Sequence, residues 1–130
     1  MATRRDILGV TGAAVLAAAM PALPAKAEDV PMYGLIGSMK ASPGQRDALV
    51  AILLGSISGM PGCLSYVVAE DPEDSDTIWI TEVWDSEASH KASLALPQVQ
   101  EAIAKARPLI AGFGQYTVTR PVGGHGLQAA

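Results

Sequence analysis

Eight residues constrain this chain more than any others: Thr77 to Trp84, in which apolar side chains occupy both alternating positions. β-Branched and aromatic residues suit a pleated surface, so the segment reads as a strand. With a side-chain period of two, Ile78, Ile80 and Trp84 point one way and Trp79 and Val83 the other. Antiparallel sheets ordinarily leave one side polar. A strand that is apolar on both sides requires protein on both.

The rest of the chain decides what those layers are. Met32 to Lys40 alternates around Tyr33, Leu35, Ile36 and Met39 and reads as a first strand. Ser42-Pro43-Gly44 is expected to open a helix, with Ser42 as N-cap and Pro43 at the first helical position. Leu49, Ile52, Leu53 and Ile57 follow at helical spacing, Arg46 and Asp47 on the wet side, until Gly55 loosens the helix and Gly59 ends it. Met60-Pro61-Gly62 is a turn, Cys63 to Ala69 a second strand, and the acidic Glu70 to Asp76 a loop. After the Thr77–Trp84 strand, Asp85-Ser86-Glu87 supplies a cap oxygen and an anionic first turn for a short helix to about Leu94. That helix restarts at Pro97, runs through Val99, Ala102, Ile103 and Ala106, and meets an end or kink at Pro108. Phe113 to Thr119 alternates again as a fourth strand. The order β-α-β-β-α-β predicts an α+β, ferredoxin-like fold with a four-stranded antiparallel sheet. Helices cover only one face of such a sheet. On the second strand Leu64, Tyr66 and Val68 oppose Val67 and Ala69, so both faces are again apolar. The expected second layer is another copy of the chain, a homodimer closed sheet to sheet.

Residues 1–27 belong to a different compositional class. Arg4-Arg5 precede an Ala- and Gly-rich apolar run from Ile7 to Leu23, then Pro24-Ala25-Lys26-Ala27, the layout of an export signal with a small-x-small cleavage site. Thr3-Arg4-Arg5-Asp6-Ile7-Leu8-Gly9 is similar to the twin-arginine motif, with Ile7 where that motif usually has Phe. The mild hydrophobicity and Lys26 near the cut suit that route, which carries folded proteins. The alternative, an uncleaved membrane anchor, is weakened by Gly12, Pro21 and Pro24. The expected organisation is a leader over residues 1–27, a tether over 28–32, one domain over 33–120 and a Gly-containing tail over 121–130. The expected location is periplasmic or secreted, with no membrane attachment after cleavage.

Without the leader, six basic and twelve acidic residues remain, so the mature domain is acidic. Nucleic acid and anionic membrane surfaces are repelled by such a charge, which points to a small molecule or another protein as partner. Cys63 is the single cysteine, so no intrachain disulfide forms; in a strand it reads as a small hydrophobe. Gly-rich phosphate loops, G-x-S-x-G, H-E-x-x-H and Cys/His clusters are all missing from the sequence.

Three stretches in order, Met60-Pro61-Gly62-Cys63-Leu64-Ser65-Tyr66, then Ile78-Trp79-Ile80-Thr81-Glu82-Val83-Trp84, then His90 with Ser93-Leu94, resemble the antibiotic biosynthesis monooxygenase (ABM) family, and its quinol-monooxygenase-like branch in particular. The resemblance spans roughly Tyr33 to Thr119. It implies a dimeric α/β barrel and oxygenation without a metal or organic cofactor, in which a deprotonated quinol or polyphenol reduces O₂ directly. The protein then supplies a dry pocket between sheet and helices, a proton acceptor and orientation. The family also holds haem-degrading proteins and domains without demonstrated chemistry, so a non-catalytic dimer that binds a small aromatic or haem is the alternative.

His90 is the candidate proton acceptor, at a position where the family often carries a histidine; a neutral imidazole suits a phenolic proton. The second histidine common in that branch is replaced here by Ser93, which weakens any two-histidine or metal proposal. Glu82 shares a strand face with Ile78, Ile80 and Trp84, where a carboxylate needs a partner. It is a candidate substrate ligand, and the expected structural partner is Arg107, Arg120 or Lys91. Trp84, Tyr66 and Tyr116 are candidates for an aromatic pocket wall, though an aromatic in a small domain is more often plain core. No metal ligands are expected. His125, in the tail, lies too far along the chain to be paired with His90.

Overall fold

The structure, a computed structural model, describes residues 30–127. The leader read from residues 1–27 and the last three residues of the tail lie outside the described residues. The elements run β1 (Tyr33–Ala41), α1 (Arg46–Gly55), β2 (Cys63–Glu70), β3 (Thr77–Trp84), α2 (Glu87–Ser93), α3 (Pro97–Ala106), a 3-10 turn at Arg107–Leu109, and β4 (Ile110–Thr119). One antiparallel sheet has the strand order β2-β3-β1-β4. This is the α+β, ferredoxin-like architecture expected, with the second helical stretch divided before Pro97.

Three local expectations need correction. Ser42-Pro43-Gly44 does not begin α1. It forms a turn in which the Gln45 N–H donates to the Ser42 carbonyl at 2.9 Å and Gly44 takes a φ of 78°, so helical geometry starts only at Arg46. Leu64 does not follow the parity of Tyr66 and Val68. Cys63 pairs with Trp84 and Ser65 with Val83, which leaves Leu64 as the extra residue of a bulge. Finally, β4 begins at Ile110, three residues earlier than its alternation suggested.

The core lies between the sheet and the helices. Ala41, Leu49, Ile78, Ile80 and Ala106 are buried there, flanked by Met39, Ile52, Leu53, Tyr66, Val68 and Ile110. Leu49 and Ile78 expose nothing to solvent; burial of such side chains stabilises by about 1.5–3 kcal/mol each. The opposite face carries apolar side chains that no element among the described residues covers. Ile36 and Val67, both cross-strand neighbours of Thr81, are 38% and 52% exposed.

The acidic loop is held by its own charges. Asp71 Oδ1 accepts from the backbone N–H groups of Glu73 and Asp74, and Asp71 Oδ2 from Trp79 Nε1 at 2.9 Å. Arg46 Nη1 donates to the carbonyls of Asp71, Asp74 and Thr77. The Trp79 hydrogen bond above all holds the Asp71 carboxyl below the usual carboxylate range, and the Asp76 N–H does the same for Asp74. These carboxylates shape the β2–β3 connection.

Candidate active site

Register places the site. On the helix-facing side of the sheet, Tyr66, Glu82, Leu35 and Val118 form one cross-strand row; Cys63, Trp84 and Tyr33 form the next. α2 closes over the end of these rows. Ser86 caps it as expected, its hydroxyl accepting from the Ser89 N–H at 3.1 Å. Its approach depends on Gly62, whose φ of 84° few other residues adopt and where a Cβ would overlap the Ser89 side chain. The Asp85 N–H donates to the Gly62 carbonyl at 2.8 Å and ties the turn to the helix start.

This packing carries His90 onto the Glu82–Trp84 segment. Glu82 Oε1 accepts from Trp84 Nε1 at 2.8 Å, and His90 Nε2 lies 3.9 Å from the same oxygen. The latter distance is an adjacent pair rather than a direct hydrogen bond. The imidazole is wedged between aromatic rings, with centroids 5.3 Å from Tyr33 and 5.5 Å from Trp84, edge-on to the latter. Both side chains of the pair are about 15% exposed or less. Burial raises the Glu82 carboxyl above its ordinary value, opposed by the Trp84 hydrogen bond. Burial also lowers His90, opposed by Glu87. Each group is thus pushed toward its uncharged form.

The expected partners of Glu82 were Arg107, Arg120 or Lys91. All three are exposed, and Glu82 meets Trp84 and His90 instead. The row geometry is the reason, since it places an indole N–H two residues along the same strand face. Ser93, at the position of the missing second histidine, is buried and donates from its hydroxyl to the His90 carbonyl at 2.6 Å, which fixes the last turn of α2.

Three adjoining hollows open at the site, two between the sheet and the helices and the third walled by β1, β3 and β4 alone. The narrowest, about 80 Å³, is walled by Tyr66, Glu82, Trp84, His90 and Ser93. Beyond Tyr66 lies one of about 480 Å³, lined by Leu53, Leu94, Val99, Ile103 and Phe113. Beyond Glu82 lies one of about 250 Å³, lined by Leu35, Ile80, Phe113 and Tyr116. A cavity of about 150 Å³ accommodates benzene. An aromatic ring therefore fits either larger hollow and not the narrow one where His90 sits. Trp84 is 1% exposed and forms floor; Tyr116 is 71% exposed and forms rim.

Tyr33 was not singled out from the sequence, yet its ring packs on His90 and its hydroxyl lies by Tyr116. Strand parity put it on the face of Leu35, but only the β1–β3 register, which pairs it with Trp84, brings it to the site. Among the described residues no group of three His, Cys, Asp or Glu side chains gathers as a metal ligand set. Among them, too, no helix is long and apolar enough to cross a membrane.

The family model described as antibiotic biosynthesis monooxygenase matches residues 32–105, which include every residue of the Glu82–Trp84–His90 cluster. The chain belongs to the ABM family. A crystal structure from Chloroflexus aurantiacus J-10-fl, described as a candidate antibiotic biosynthesis monooxygenase, is 70% identical over 74% of this chain and 98% of its own, with a TM-score of 0.73. A Caulobacter crescentus CB15 protein with the same description is 19% identical over 72% of this chain and 92% of its own, with a TM-score of 0.67. A Pseudomonas aeruginosa protein is 20% identical over 72% and 96%, with a TM-score of 0.64. The last two show likeness of fold alone. No curated protein matches the chain.

Proposed function

We propose that this ABM protein is a cofactor-independent monooxygenase of a quinol or polyphenolic aromatic, working as an exported homodimer. The observation that carries the proposal is an apolar cleft whose inner end is a buried carboxylate–imidazole pair, Glu82 and His90. An anionic quinol reduces O₂ without help from a cofactor. One oxygen atom enters the ring, the other leaves as water, and all four electrons come from the substrate. The protein's part is to remove the phenolic proton, exclude water and hold the ring. His90 and Glu82 are the proton-accepting pair, Trp84 and Tyr66 the walls, and Tyr116 the rim through which the substrate enters.

Two further parts of the proposal rest on other features. The sheet face on which Ile36 and Val67 are exposed among the described residues supports a sheet-to-sheet dimer, which sedimentation would detect. The Arg4-Arg5 leader supports export to the periplasm or beyond. Substitution of both arginines by lysine should hold the protein in the cytoplasm, and unchanged export would refute that part.

The activity is tested by oxygen uptake with a panel of quinols and catechols, metal-free, beside His90→Ala. Uptake above autoxidation that falls at least tenfold in the variant is the expected result. A folded protein that binds these compounds but consumes no oxygen would instead be the non-catalytic aromatic- or haem-binding module.

A further inference from the structure

Glu82 is the member of the acidic–imidazole pair that borders both the narrow hollow and the 250 Å³ hollow; His90 borders only the narrow one. Tyr66 stands directly across the β2–β3 ladder from Glu82 and borders the narrow and the 480 Å³ hollows. A ring too large for the narrow hollow therefore borders Glu82 from one side or Tyr66 from the other, and only its hydroxyl enters the narrow hollow that both residues line. We infer that Glu82 and Tyr66 clamp one phenolic hydroxyl of the substrate from two sides, the carboxylate taking its proton and the Tyr66 hydroxyl donating a hydrogen bond to the phenolate oxygen left behind. The inference rests on the quinol reading of the cleft and adds to it which groups touch the reacting oxygen.

In this step the substrate O–H bond breaks and an O–H bond forms on Glu82. The electron pair stays on the phenolate oxygen, and nothing is oxidised or reduced. The geometry leaves both groups available. Trp84 Nε1 donates to Glu82 Oε1 and His90 Nε2 lies nearest the same oxygen, so neither occupies the second carboxylate oxygen. The Tyr66 hydroxyl has no hydrogen-bond partner among the described residues, and its raised pKa has burial as the first cause and Glu82 as the second. It therefore stays protonated and keeps a proton to donate. A hydrogen bond to a developing anion in a dry site is worth more than the same bond in water. Within the proton-accepting pair Glu82 is then the member that touches the substrate, and His90 acts through it as a positioning residue. The other titratable groups that face this pair are Cys63 on β2, Glu87 on α2, Tyr33 on β1 and Tyr116 on β4.

The test reads the bound ligand and needs no turnover. The full-length protein is titrated under nitrogen with 4-nitrocatechol, whose phenolate is coloured, at a pH below the ionisation of the free probe. With wild type, the bound probe should show the phenolate spectrum. With Glu82→Gln it should bind and show the phenol spectrum. With Tyr66→Phe the phenolate fraction should fall and affinity should drop on the order of tenfold. A wild-type complex with the phenol spectrum would overturn the clamp while leaving the cleft as the binding site. Phenolate that survives in Glu82→Gln but vanishes in His90→Gln would also overturn it, moving the acceptor role to His90. Failure of wild type to bind the probe or any related catechol would overturn the quinol reading itself. Glu82→Gln and Tyr66→Phe are close to isosteric, and a phenol spectrum in the wild-type complex overturns the clamp whether or not a variant folds.

Discussion

The Glu82–His90 pair makes fold stability depend on pH in two opposing ways that single substitutions separate. Burial raises Glu82 above its ordinary value of 4.5, so the native state holds that proton more tightly than the unfolded chain does. Its contribution is fully present below about pH 4.5 and is lost as the pH rises through the native value. Burial lowers His90 below its ordinary 6.5. Its contribution is present above about pH 6.5 and is lost as the pH falls through the native value. Between those two pH values the slopes oppose each other. One proton bound differently by the two states changes stability by at most about 1.4 kcal/mol per pH unit. Burial leads for each shift, with the Trp84 hydrogen bond opposing it at Glu82 and Glu87 opposing it at His90. Glu82→Gln should therefore become more stable with rising pH across this window, and His90→Gln less stable. Urea denaturation in steps from pH 4.5 to 6.5 measures both slopes, and titration of Asp71 and Asp74 cancels when the variants are compared. Parallel profiles for the two variants would refute the reasoning.

Two structural substitutions test the frame around the site. Leu49→Ala removes a fully buried side chain from the core beneath α1 and should cost about 3–5 kcal/mol in urea denaturation. Gly62→Ala imposes a φ of 84° on alanine and drives a Cβ into Ser89, so stability should fall by about 1–3 kcal/mol. Because α2 must shift to relieve that overlap, the His90 imidazole NMR signals should move in this variant and stay in place in Leu49→Ala.

The strands and their order were legible because alternation is strong where both faces are apolar, as in Thr77–Trp84, whose bounds matched. Pro97 marked its helix start for a similar reason, since a fixed φ suits the first helical turn. Ser42-Pro43-Gly44 misled because a capping signature and a turn signature share the same residues. Only the ties of Ala41 to Asp76 and of Ser42 to Leu109 decide between them, and both are long-range. The Leu64 bulge was invisible for the same reason, since parity can be counted along one strand but pairing needs two. At the site, the sequence singled out Glu82, Trp84 and His90 separately. Their convergence depends on how α2 folds back over β3, which the glycine at position 62 permits but does not announce. Tyr33 needed the inter-strand register and could not be placed without it.

A carboxylate in the middle of an apolar sheet face is poorly explained by stability alone. Glu82 stands in a row with Tyr66, Leu35 and Val118 and between Ile80 and Trp84 on its own strand face, and among the described residues no lysine or arginine pairs with it. Above its raised pKa the fold must bury a charge against this surface, which costs about 1.4 kcal/mol for each unit by which burial shifts the group. Glu82→Gln removes the charge and keeps an oxygen for Trp84 Nε1, so at pH 8 the variant should be more stable than wild type. Glu82→Leu also removes the charge but leaves the indole N–H unpaired, a penalty of about 1–3 kcal/mol relative to Gln. The expected order at pH 8, read from urea midpoints, places Gln above both Glu and Leu, while oxygen uptake is highest with Glu. A wild type more stable than Glu82→Gln would make the carboxylate a structural partner of Trp84 and His90. The expected order instead makes Glu82 a group kept against the preference of the fold, which is the physical signature of a residue retained for its chemistry.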